Sequence, residues 1–139
     1  VVYLSAPRLA DFSINSAADP TTVMTAPALI ALLVSAGFSE PQAHAIEVYA
    51  VSQAGYEMDG EDILDPCAKS WMGDGLFGLT RELRRSMHAE AGTRGCVSAE
   101  DQVQFVAHAW PEYYPNCAAK FAAGNLHLFK KCFGLGEGS

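Results

Sequence analysis

The stretch TAPALIALLVSAGFSEPQAHAIEVYAVSQAG, residues 25–55, constrains this chain most, because local signals alone write two helices and the turn between them. Thr25 stands at an N-cap position, Pro27 falls near the first turn where a missing N–H costs nothing, and Gly37 closes the segment. Almost every position between them is apolar, so the first helix is expected in the core. Ser39, Glu40 and Pro41 open a second segment, in which Ala43, Ile46, Ala50 and Val51 recur at helical spacing and Gly55 is the natural stop. Gln53 then sits in the last turn, ahead of an acidic, glycine-containing loop.

The rest of the chain continues in the same idiom after one interruption. Residues 56–79, YEMDGEDILDPCAKSWMGDGLFGL, place Gly or Pro at 60, 66, 73, 75 and 78 and show no sustained period. They predict an irregular lobe with a small β-hairpin around Ile63 or Leu76. Helical pattern resumes from Thr80 to Gly92 and again from Ser98, which with Asp101 makes a capping-box-like start; Pro111 and Pro115 are expected to end that helix. Asn116 is read as the cap of CAAKFAAG, Gly124 as its break, and NLHLFKKCFG as a last short helix. The prediction is a mainly α, α+β domain of about six helices over residues 25–134. An irregular segment at 1–24 packs onto it and a flexible glycine-rich tail occupies 135–139.

At 139 residues one core suffices, and no apolar run approaches the roughly 20 residues of a membrane span. A net charge of −7 argues against nucleic acid, whose binders gather Lys and Arg on one face. RELRR (Arg81, Arg84, Arg85) and Lys130–Lys131 read as solvated helix faces. Cys67, Cys96, Cys117 and Cys132 show neither C-x-x-C nor zinc-finger spacing, so no metal is expected. Two disulfides in an oxidising compartment are the preferred reading over four buried thiols, and Cys67–Cys96 with Cys117–Cys132 the preferred pairing. The opening VVYLSAPRLADF has neither an initiator Met nor a signal pattern and reads as a mature chain or an excised domain. P-loop, H-E-x-x-H and G-x-S-x-G motifs are missing from the sequence. The four histidines all fall inside helical patterns and read as surface or half-buried residues.

The order of segments carries more than any one of them. Gly37, Phe38, Ser39, Gln42, Ala43 and Ile46 are followed by Ala54, Gly55 and Tyr56. Gly73, Gly75, Leu76, Phe77, Leu79, Thr80 and Arg85 come next, and then Gln102 and Phe105. Over roughly residues 28–110 this series resembles the lysozyme-like domains of phage tail lysins and related lytic transglycosylases, which cleave the MurNAc–GlcNAc strands of peptidoglycan. The resemblance implies that Gln53 occupies the position of the glutamate that protonates the glycosidic oxygen, and that Gly78 replaces a glutamine. An amide has no proton to give, so this form is expected to be catalytically weak or dead while still able to hydrogen-bond a sugar. Three explanations stay open at this point: an engineered Glu-to-Gln replacement, a natural loss, or a shifted alignment in which Glu57, or less well Glu47 on another face of the helix, is the acid.

Asp62 is the candidate second carboxylate, in a loop that also holds Asp59, Glu61 and Asp65. Tyr56, Trp71, Gly75, Phe77, Thr80 and Tyr113 are candidate substrate contacts, the aromatic ones by stacking on sugar rings, although Phe77 fits the core equally well. No cofactor is implied. The expected partners are peptidoglycan glycan strands and a possible protein inhibitor or immunity protein. The chain is expected to be a monomer, secreted or periplasmic, and delivered as part of a larger protein. The rival from another class is a non-catalytic, disulfide-stabilised helical module that binds glycan or a protein partner.

Overall fold

In the computed structural model, which describes residues 23–70 and 73–125, the two helices written into residues 25–55 form as α1 (Ala26–Ser35) and α2 (Glu40–Ala54). The Ala28 N–H donates to Thr25 Oγ1 at 3.4 Å, capping α1. At the start of α2 the Gln42 N–H donates to Ser39 Oγ at 3.2 Å and the Ser39 N–H donates to Gln42 Oε1 at 2.9 Å, a reciprocal capping box. The other end of that amide, Gln42 Nε2, donates to the Phe121 carbonyl at 3.4 Å, so the same side chain that starts α2 also ties down a distant helix.

The lobe at 56–79 contains two hairpins. β2 (Gly55–Met58) and β3 (Glu61–Leu64) pair antiparallel with Tyr56 opposite Ile63 and Glu57 opposite Asp62. Asp59 and Gly60 turn the chain at φ 55° and 78°, the left-handed conformations that a two-residue hairpin loop matched to strand twist requires. β1 (Met24–Thr25) pairs with the other edge of β3, giving the order β1-β3-β2. A second hairpin, β4 (Lys69–Ser70) with β5 (Gly73–Asp74), ends just before Leu76.

Five helices lie among the described residues, the last three being α3 (Arg81–Ala91), α4 (Ala99–Tyr113) and α5 (Pro115–Ala122). Most of NLHLFKKCFG, read as a sixth, lies outside the described residues, as do positions 1–22 and the 135–139 tail. Two boundaries differ from expectation. Pro111 lies inside α4 rather than ending it: its missing N–H forfeits one bond in the last turn, while the Tyr114 N–H still closes that turn on the Trp110 carbonyl at 2.8 Å. Trp110 is pinned by packing, its ring 4.7 Å from that of Phe121. α5 starts at Pro115, whose fixed φ suits a first helical position, so Tyr114 is the cap residue and Asn116 is inside the helix.

The core gathers one face of every helix with the lobe. Leu29 and Leu33 of α1, Ile46 and Ala50 of α2, Leu64 of β3, Leu76 and Phe77, and Val106 and Ala109 of α4 are fully buried. At roughly 1.5–3 kcal/mol for each large apolar side chain removed from water, this contact set is what holds the lobe on the helices. The Cys67–Cys96 disulfide forms, with Cα atoms 5.3 Å apart, joining the lobe to the segment before α4. Cys117 is also disulfide-bonded; Cys132, its expected partner, lies outside the described residues. Among the described residues no helix is long and apolar enough to cross a membrane.

Candidate functional site

Gln53 occupies the last turn of α2, two residues before the β2–β3 hairpin. Its side chain lies against Gly78. A Cβ placed on Gly78 would sit 3.3 Å from Gln53 Cδ and 3.6 Å from Cγ, and would collide with Oε1. Gly78 also has φ 54°, so any side chain there would be strained as well as crowded. Positions 53 and 78 are therefore in direct contact: the glutamine fills the space that a residue 78 side chain would need.

A second glutamine holds the same turn from inside. Gln102, on α4, is a polar side chain only 1% exposed. Its Oε1 accepts from the Leu76 N–H at 2.8 Å, and its Nε2 donates to the Pro66 carbonyl at 2.7 Å and to the Val97 carbonyl at 2.9 Å. Gly75, at φ 85°, makes room for it, since a Cβ there would come within 2.6 Å of Oε1. The 75–78 turn is thus sandwiched between two glutamines, each facing a glycine. In the sequence Gln102 stood out only by its place in the resemblance, because its three partners come from three separate segments.

The remaining candidates distribute unevenly. Tyr56, 43% exposed on β2, and Tyr113, 51% exposed at the end of α4, are open to solvent, and Tyr113 Oη lies 3.4 Å from Ser86 Oγ on α3. Thr80 is half-buried at the N-cap position of α3. Gly75 is a buried part of the Gln102 contact. Phe77 corrects an expectation: it is 0% exposed, wedged in the core, and its ring has no free face for a sugar. Trp71 lies outside the described residues.

Glu57 and Asp62 are exposed and face each other across the hairpin. Asp62 also acts on Glu47 of α2. Partial burial pushes the Glu47 carboxyl above its ordinary value; His44 opposes the rise and the negative charge of Asp62 adds to it. Six residues turn a helix by about 600°, which leaves Glu47 and Gln53 about 120° apart around α2. Glu47 thus belongs to the hairpin flank and Gln53 to the flank that meets the 75–78 turn. At the junction of α4 and α5, burial raises the Tyr114 phenol, with Glu82 and Tyr113 adding to the shift.

Two cavities border these elements. One of about 400 Å³ lies between the α1–α2 connection, α4 and α5, walled by Phe38, Trp110, Pro111 and Phe121 with Gln42 at its edge; Gln42 is about three helical turns from Gln53. The other, about 260 Å³, opens onto Cys67, Cys96, Gly75 and Gln102. Among the described residues no three His, Cys, Asp or Glu side chains converge as metal ligands.

Against known proteins the chain stands apart: no family model matches it, and no curated protein and no solved structure is detectably similar to it. The amide at position 53 can donate to and accept from a polar ligand, and it cannot protonate a leaving group.

Proposed function

We propose that this chain is a peptidoglycan-directed, lysozyme-like domain of the muramidase or lytic transglycosylase type, with Gln53 at the general-acid position and little or no activity in this form. The observation that supports this reading best is the set of neighbours around Gln53. It ends a core helix, immediately precedes an antiparallel hairpin bearing paired carboxylates, and lies against a glycine turn too close to carry a side chain. A carboxyl in its place would be partly desolvated by that turn, the condition that raises a carboxylic acid towards the pKa a general acid needs. The Cys67–Cys96 bond is compatible with an extracytoplasmic location, where disulfides persist.

The second reading is a non-catalytic module that binds glycan or a protein partner, and the amide at position 53 is the observation that favours it. One substitution separates the two. Gln53→Glu, assayed on purified cell walls, should raise muropeptide release by about 10²-fold or more over the parent, the contribution expected of a positioned general acid. Mass spectrometry of the products then distinguishes reducing-end muramic acid from the anhydro form left by attack of the sugar's own 6-hydroxyl. A correctly folded Gln53→Glu protein that releases nothing removes the enzyme reading of this position.

A further inference from the structure

The two ends of the Cys67–Cys96 bridge are the two places where Gln102 anchors. Pro66, whose carbonyl accepts from Gln102 Nε2, precedes Cys67, and Val97, whose carbonyl accepts from the same nitrogen, follows Cys96. The other end of that amide holds the Leu76 N–H, and the Gly75 N–H donates to the Ala68 carbonyl at 2.7 Å, one residue beyond Cys67. From the disulfide the path to position 53 is continuous: bridge, Gln102, the 75–78 turn, Gly78, Gln53.

Resting on the reading of Gln53 as the site, we propose that the Cys67–Cys96 disulfide controls that site, by fixing Gln102 as the positioning residue that presses the 75–78 turn against Gln53. One nitrogen can donate to both carbonyls only while the Pro66 and Val97 backbones stay close, and the bridge enforces this with its Cα atoms 5.3 Å apart. The cavity of about 260 Å³ reaches both half-buried cysteines, so a small dithiol has access. Its first thiolate attacks one sulfur and breaks the S–S bond, forming a mixed disulfide. Its second thiol displaces that sulfur, leaving a cyclic disulfide. Two electrons and two protons pass to Cys67 and Cys96, which end as thiols. The lobe then separates from the segment before α4, Gln102 loses one anchor, and the turn no longer backs position 53. The site is assembled when oxidised and slack when reduced.

The test uses the Gln53→Glu protein, with the titration of the introduced carboxyl followed by NMR as a readout that needs no catalysis. With the bridge intact it should titrate above the ordinary glutamate value of about 4.3. In the same protein carrying Cys67→Ala and Cys96→Ala, which leaves the disulfide of Cys117 in place, the titration should fall back towards that value. The Leu76 N–H should exchange about tenfold faster or more, while Ile46 in α2 keeps its protection. A folded variant with the titration and the Leu76 exchange unchanged overturns the proposal. If the bridge is required for folding, Gln102→Met with the bridge intact reads the same path, and an unchanged titration there overturns it equally. A protein that shows the coupling but cleaves no cell wall would defeat the enzyme reading and leave the coupling standing.

Discussion

Glu47 shows how much a single residue can hide. Its place on α2 was plain from the sequence, and helical rotation correctly separates it from Gln53. That its flank is the one packed beside Asp62 depends on β3 lying against α2, which no local pattern announces. The consequence is measurable. A carboxyl whose folded pKa lies above its unfolded value stabilises the fold below the unfolded pKa, and that contribution is lost as pH rises through the folded one. Ionised Glu47 therefore weighs against folding at neutral pH. We expect Glu47→Gln to raise the Tm at pH 7 and to leave it unchanged near pH 3, where both states hold the proton. A gain of equal size at both pH values would mean that packing, not charge, is responsible. Gln53 and Gly78 carry the same lesson in another form: each is visible as a departure from a pattern, and only the fold reveals that they touch.

At the scale of elements, what could be read was what is encoded within four or five residues. Thr25, Ser39 and Ser98 stand before their helices with side-chain oxygens accepting from the third residue on, and Gly92 ends α3 in the left-handed conformation. What escaped was set by distant partners. β1 is two residues long and exists only through its pairing with β3, and α4 runs through Pro111 because Trp110 is held by Phe121. Phe77 sits in a stretch full of turn signals, where its residue type fits a sugar contact and the core equally well, and the fold makes it one of the largest fully buried side chains. The caps make the element-scale prediction. Ser39→Ala should cost about 1 kcal/mol and lower the Tm by roughly 3–4 °C, with the far-UV spectrum unchanged. Because Gln42 also donates to the Phe121 carbonyl, loosening its other end should speed amide exchange in α5 as well as at the start of α2. An effect confined to α2 would show that this bond does not couple the two helices.

For the whole molecule, if the chain acts on cell walls as proposed, the excess of 16 acidic over 9 basic side chains is the property most at odds with that anionic partner. Its local expression is the β2–β3 hairpin, where Glu57, Asp59, Glu61 and Asp62 are all exposed. Like charges on the protein and on the wall polymer repel over about 30 Å at 0.01 M ionic strength and about 10 Å at 0.1 M. Contacts made by neutral groups such as Gln53 and the exposed Tyr56 and Tyr113 are short-ranged and nearly indifferent to salt. Binding of the chain to purified cell walls should therefore strengthen as salt rises from about 0.01 to about 0.15 M and then level off, the reverse of a cationic lysin. Pull-down of the protein by insoluble walls across that range measures this directly. Binding that weakens steadily with salt would instead identify a basic patch as the contact and place recognition away from the hairpin. Neutralising the hairpin by Glu57→Gln and Asp62→Asn should flatten the low-salt deficit if repulsion is centred there, and leave it intact if the charge is felt as a whole.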